Sequence, residues 1–255
     1  GVGASMRIDV LTLFPRIVEA PLEETILGRA REAGLLDIAI HDLRKWGIGR
    51  HRSVDDYPFG GGPGMVMRPE PLFAAVESIQ PLVEPVAEVV LLTPQGRPLD
   101  TPLAAELAEL PRLLLVCGRY EGVDERVRER LVNREVSVAD VVFSGGEIPA
   151  LLLIDAVARR IPGVLGAEDS LDEESFDEGL LEYPQYTRPR EFRGWEAPAV
   201  LLSGHHAEVM RWRREQRLRR TLDRRPDLLA GATLTEEDRA TLAQPPAAHE
   251  ERENR

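Results

Sequence analysis

The segment LLLVCGRYEGVDERVRERLVNREVSVADVVFSGGEIP, from Leu113 to Pro149, constrains the fold more than any other part of the chain. Two short apolar runs, each leading into a glycine-bearing loop, flank a charged stretch that reads as a short helix. Apolar runs of this length suit strands buried on both faces. Loops that follow such strands form a pocket at the carboxyl ends of a parallel sheet, where open α/β sheets bind small ligands.

The same alternation runs through the chain up to Pro162-Gly163. Arg7 to Leu13 alternates polar and apolar side chains and ends at Phe14-Pro15, as expected of a strand stopped by proline. Pro21 to Ala33 predicts a helix with Leu22, Ile26, Leu27 and Ala30 on its apolar stripe and Gly34 at its end. Further strands are predicted at Leu36 to Ile40, Glu88 to Leu92, Leu113 to Cys117 and Glu135 to Ala139. Helices are predicted at Pro69 to Ser78, Thr101 to Leu110, Asp124 to Leu131 and Pro149 to Arg159. Strands alternating with helices give an α/β fold with a mostly parallel sheet. Asp42 to Met67 has little periodicity and many turn formers, and loops of that length tend to carry function.

The expected organisation is a sheet domain over 6–163, an interdomain linker over 164–187 and a small all-α domain over 188–244, followed by a disordered tail over 245–255. The all-α domain is helical around Ala207 to Arg220 and Thr235 to Leu242, with no strand signal. Residues 1–5, Gly-Val-Gly-Ala-Ser, read as a non-native remnant before Met6.

The formal net charge of −12 argues against a protein that grips nucleic acid by bulk charge alone. Distribution modifies this, because eleven arginines between Arg188 and Arg225 face only five acidic residues. That stretch reads either as a solvated helical face with Arg/Glu pairs or as a phosphate-binding surface. The single cysteine, Cys117, cannot form an internal disulfide, and no apolar run approaches the roughly 20 residues that span a bilayer. A cytoplasmic protein without membrane contact is expected. The phosphate-binding P-loop, the HExxH zinc helix, paired CxxC ligands, the GxSxG elbow and a GxGxxG after a strand are all missing. The five histidines have no metal-site spacing, so no protein-held metal is expected.

GRYEGVDERV followed by SVADVVFSGGEIPALLLIDAVAR resembles the S-adenosylmethionine site of bacterial tRNA (guanine-N1)-methyltransferases of the TrmD family, knotted enzymes of the SPOUT class. The resemblance implies a C-terminal trefoil knot in the sheet domain, which strand patterns alone would not suggest. It also implies methyl transfer from S-adenosylmethionine to N1 of the guanine at tRNA position 37, next to the anticodon. Homodimers with a shared active site, binding of the tRNA anticodon arm and a magnesium requirement belong to the same implication.

Residue by residue, the resemblance assigns cofactor binding to Pro94, Gly118, Tyr120, Glu121, Gly122, Ser137, Val138, Ala139, Phe143, Gly145 and Gly146. A glycine's missing Cβ lets the backbone approach a ligand, while Gly145-Gly146 also reads as a plain turn before a helix. The loop from His51 to Met65, with Asp55, Gly60, Gly61 and Gly62, is assigned to the substrate. So are Arg188 and His206, within motifs close to those of the family. Trp212 reads as core.

Guanine N1 carries a proton at neutral pH, so its attack on a methyl group needs a general base and a donor for the charge growing on O6. The family places the arginine at Arg159 and the carboxylate just before Ser175-Phe176-Asp177-Glu178-Gly179, at Glu174. The family usually has aspartate there. The longer glutamate side chain keeps Asp172, Glu173 and Asp177 in play as the base. Composition alone would read this acidic run as a solvated linker, and Arg159 as a helix cap. Two other functions stay open: a tRNA ribose 2′-O-methyltransferase of the same class, and a non-catalytic RNA-binding protein that senses the cofactor.

Overall fold

The computed structural model describes residues 5–165 and 174–244. The chain divides into two compact units, Gly1–Ala167 and Glu168–Arg255.

The first unit is built on a five-stranded sheet of β1 (Met6–Thr12), β2 (Leu36–Asp42), β5 (Glu88–Pro98), β6 (Arg112–Cys117) and β7 (Arg134–Ser137), in the order β2-β1-β6-β5-β7. Every neighbouring pair is parallel, which fulfils the expectation of an α/β protein with a mostly parallel sheet. Helices α1 (Pro15–Glu19), α2 (Thr25–Glu32), α3 (Pro69–Ile79), α4 (Thr101–Ala108), α5 (Glu125–Arg130) and α6 (Glu147–Ala158) surround it.

Strand periodicity divides the core. Along β6, Leu113, Leu115 and Cys117 join one apolar cluster with Leu103, Leu107, Leu153 and Val157 from α4 and α6. Leu114 and Val116 point the other way, to Leu72, Val76, Ile79 and Val127 from α3 and α5. Successive side chains leave a strand on opposite faces, so an unbroken apolar run serves both helical layers.

Several expectations change. β1 is not half solvated: Asp9 and Thr12 are fully buried, because each has a buried partner elsewhere in the chain. Pro15 opens α1 at once, as proline can at a first helical position. The helix expected from Pro21 is split, since Pro21 lies in a 3-10 turn and the extended backbone of Glu24 separates that turn from α2. β5 continues past Leu92 to Pro98, with a register shift against β7 between Leu92 and Arg97. Inside the long loop, β3 (Asp55–Asp56) pairs antiparallel with β4 (Val66–Met67).

The second unit contains α7 (His206–Arg224) and α8 (Glu236–Ala243). It is not wholly helical. β8 (Glu191–Phe192) and β9 (Trp195–Glu196) form a small antiparallel pair around Arg193-Gly194, both with positive φ, the conformation of a tight hairpin turn. From Glu174 onward the stretch expected as linker packs within this unit. Leu180 and Tyr183 are buried, the Leu181 amide donates to Thr221 Oγ1 on α7 at 2.9 Å, and Arg213 stacks 4.6 Å from the centre of the Tyr183 ring. Residues 1–4, 166–173 and 245–255, which carry most of the remnant, part of the linker and the tail of the sequence reading, lie outside the described residues.

Candidate functional site

A cavity of about 490 Å³ opens beside the register shift in β5 and at the carboxyl ends of β6 and β7. Its size is typical of small-molecule sites. All eleven residues assigned to the cofactor, from Pro94 to Gly146, line it. A wider depression of about 720 Å³ lies among Glu23, Arg31 and Asp37 near the start of β2. There Arg31 already donates to the Leu22 carbonyl and Asp37 accepts from Arg7, and no strand-end loops converge. The strand-end cavity is therefore the candidate site.

Its glycines do different work. A Cβ on Gly118 would make only ordinary contacts, with the Leu92 carbonyl oxygen at 3.6 Å and the Leu91 and Val123 side chains at 3.9 and 4.0 Å. A Cβ on Gly146 would lie 2.6 Å from Cys117 Cα, and one on Gly145 would lie 2.2 Å from Arg119 Nε. Packing within the protein thus demands these two glycines before any ligand is considered. The Gly146 amide donates to the Gly118 carbonyl at 2.8 Å, which joins the loop after β7 (138–146, the third cavity segment) to the loop after β6 (118–122, the second). Ser137 is partly committed too: its Oγ donates to the Ala139 carbonyl at 3.0 Å.

Tyr120 holds φ at +61°, unusual for a residue with a side chain, and its ring is half exposed. Partial burial, then the charge of Asp55, raise its phenol above the ordinary tyrosine value, while Arg44 and Arg119 oppose them. The phenol is therefore a protonated donor at neutral pH. Asp55 reaches it because β4 is stapled to the second loop: Glu121 N donates to Met65 O at 3.0 Å, Met67 N to Gly122 O at 2.9 Å and Asp124 N to Met67 O at 2.9 Å. Gly60, Gly61 and Gly62, in contrast, stand exposed with positive φ and do not line the cavity.

Sequence reasoning missed Arg119, Arg128 and Glu147. Arg128 lines the cavity and bonds Gln95 of β5, Glu125 of α5 and Glu135 of β7. Glu147 is 1% exposed and receives Arg119 on one oxygen and Thr12 on the other. Only the adjacency of Arg119 to Gly118 and of Glu147 to Gly146 hinted at them.

Arg159 caps the carboxyl end of α6, its amide donating to the carbonyls of Asp155 and Val157. At 1.5 Å per residue it lies about 15 Å along the helix from Pro149, which lines the cavity, and it does not line that cavity itself. Glu174, in the second unit, is half-buried. Asp172 and Glu173 lie outside the described residues. Arg188 is exposed, as is His206 at the start of α7. Trp212, read from the sequence as core, is only half-buried and lies against the exposed Tyr186 with ring centres 6.5 Å apart. Among the described residues no group of three or more His, Cys, Asp or Glu side chains could hold a metal ion, and no helix is long and apolar enough to cross a membrane.

Parallel strands and the loops that follow them around a ligand-sized cavity define an α/β protein with a candidate small-molecule site at its strand ends. Comparison narrows that class. The family model described as tRNA (Guanine-1)-methyltransferase TrmD matches residues 6–231. The tRNA (guanine-N(1)-)-methyltransferase of Chloroflexus aggregans is 57% identical over 243 residues, covering 94% of this chain and 95% of its own. That of Moorella thermoacetica is 56% identical over 238 residues, covering 93% and 95%, and that of a Geobacter species 49% over 247, covering 97% and 99%. The chain belongs to the TrmD family and is a methyltransferase.

Proposed function

We propose that this protein transfers a methyl group from S-adenosylmethionine to N1 of the guanine at tRNA position 37, giving 1-methylguanosine next to the anticodon. The observation that carries this reading is the single cavity into which all eleven assigned residues converge. The lining fits the cofactor: Gly118 and Gly122 line it without side chains, and Gly122 has open space at its Cβ position, so the backbone admits close approach; Tyr120 offers a donor, Glu121 a carboxylate, and Val138 and Phe143 apolar surface. When bound, S-adenosylmethionine supplies an electrophilic sulfonium methyl.

The chain's own groups then have three tasks. Glu174 takes the N1 proton as general base, with Asp172, Glu173 and Asp177 as the alternatives its added methylene leaves open. Arg159 donates to O6 as negative charge grows there. Asp55, the Gly60 to Gly62 loop, Arg188 and His206 hold the tRNA anticodon arm, helped by the arginine-rich α7, since guanidinium forks suit phosphate oxygens.

The working form in this reading is a cytoplasmic homodimer. The roughly 15 Å that α6 puts between Pro149 in the cavity wall and Arg159 favours a site completed by a second copy. Ile148 and Leu152, one turn apart and about half exposed on α6, offer that copy an apolar face. A trefoil knot accords with the chain after β7 crossing back over β5 to bring Gly145 beside Arg119 at the end of β6. Magnesium enters only through the family resemblance.

The test uses radiolabelled donor with tRNA transcripts bearing G or A at position 37. Label on the base with G alone is expected. Label on a ribose, or binding without transfer, would replace this reading with another. Glu174→Ala should abolish transfer while keeping donor affinity, and retained turnover would remove Glu174 from the mechanism.

A further inference from the structure

Glu147, the first residue of α6, is a buried carboxylate with both oxygens engaged. Thr12 Oγ1 donates to Oε1 at 2.7 Å, while Arg119 Nε and Nη2 approach Oε2 at 3.0 and 2.9 Å. The same guanidinium donates through Nη1 to the Ser144 carbonyl at 3.2 Å and lies 4.4 Å from the centre of the Phe14 ring. The Phe14 amide in turn donates to Thr12 Oγ1 at 2.9 Å. The end of β1, the second cavity loop and the third cavity loop are thereby tied at one point.

A buried charge without a partner is costly, so Glu147 forces Arg119 into this place. The sequence accommodates it, because the Gly145 backbone leaves room that any Cβ would take from Arg119 Nε. With both oxygens committed and 1% of its surface exposed, Glu147 has nothing left to offer a substrate. Its work is done through Arg119. That arginine stands between Gly118 and Tyr120, the latter in a left-handed conformation that surrounding contacts must sustain.

We propose that Arg119, locked by Glu147, is a positioning residue that pins the 139–146 loop against the 118–122 loop and so sets the shape of the donor cavity. This rests on the reading of that cavity as the S-adenosylmethionine site. Loss of the clasp should relax both loops and weaken donor binding, leaving the methyl-transfer step of bound donor largely intact.

The experiment measures S-adenosylmethionine binding by calorimetry, and kcat and KM with tRNA, for the full chain and for Arg119→Met, Arg119→Lys and Glu147→Gln. Arg119→Met and Glu147→Gln should each weaken donor binding about tenfold, as expected for one charge-assisted hydrogen bond, with KM rising and kcat at saturating donor held within about twofold. Arg119→Lys keeps the charge but cannot reach both Glu147 and Ser144 in a fork, so it should fall between. The double variant should be no weaker than the worse single one, because both remove the same interaction. Should Glu147→Gln fail to fold, the two Arg119 variants suffice, since Arg119 is partly exposed. Donor affinity equal to that of the wild type in folded Arg119→Met, or kcat falling at unchanged affinity, overturns the clasp. No binding by the wild type overturns the donor reading itself.

Discussion

Replacing Asp9 by asparagine should destabilise the first unit by about 3 kcal/mol without touching the candidate site. Asp9 sits on β1 with no exposed surface. Arg112 Nε and Nη2, also fully buried, each approach its Oδ2 at 2.9 Å, and Arg7 and His41 approach Oδ1 at 2.8 Å. Burial pushes the Asp9 carboxyl up, but hydrogen bonds from His41, Arg7 and Arg112 and the charge of Arg7 outweigh it and hold it at about 2, against an ordinary 3.8. At about 1.4 kcal/mol per pH unit, that difference stabilises the folded state by about 2–3 kcal/mol at neutral pH.

Asparagine keeps the shape and removes the charge, so Arg112 becomes a buried cation left with the carbonyls of Ile79 and Gln80 at 2.9 Å, of Pro85 at 3.3 Å and of Val83. Breaking a buried pair from one side costs about 3–5 kcal/mol, and these carbonyls place the cost near the lower end. A drop in Tm of about 6–12 °C at pH 7 follows for a unit of this size. The carboxylate's contribution is complete above 3.8 and is lost as pH falls towards 2. The stability gap between wild type and variant, from urea titrations at about pH 5, 4 and 3, should therefore narrow with falling pH. A gap below about 1 kcal/mol at neutral pH, or one that stays constant across those titrations, would refute the reasoning.

Gly118→Ala should keep the stability of the wild type and lose donor affinity, because its new methyl group meets only ordinary contacts within the protein and otherwise projects into the cavity. Gly146→Ala should instead lose about 1–3 kcal/mol of stability as the methyl group meets Cys117 Cα and the Gly118 amide, and equal unfolding midpoints for the two variants would contradict this division. Mixing Gly118→Val with Glu174→Ala, each inactive alone, should restore about a quarter of wild-type turnover if loops and base come from different subunits, since random exchange makes half the dimers mixed and each has one intact site. No recovery after demonstrated subunit exchange would mean that each chain supplies its own base.

The sheet and its cavity were legible because their signals are local. Leu113 to Cys117 is apolar without a break, and a strand buried on both faces needs nothing more to declare itself; the loop glycines follow immediately. The pairings of Asp9 with Arg112 and of Thr12 with Glu147 were not legible, since they join residues 103 and 135 positions apart. A polar residue within β1 looks the same in sequence whether it faces water or a buried partner. The small β8-β9 pair escaped for another reason: two-residue strands have no period to detect, and only Arg193-Gly194 marked the turn.

The glycines carry the same lesson into the site. Gly118, Gly145 and Gly146 look alike in sequence, and a resemblance assigns all three to one ligand. The structure separates them by what a methyl group would strike: atoms at ordinary contact distance at Gly118, a guanidinium at Gly145, the β6 backbone at Gly146. Two of the three would be required even in a protein that bound nothing, because Arg119 must pass Gly145 to reach Glu147 and the third loop must lie on Cys117. A motif kept for ligand contact and a motif kept for loop packing therefore coincide here, and substitutions that disturb the second will also disturb the first. Only a variant at Gly118, where the packing demand is absent, reads ligand contact alone.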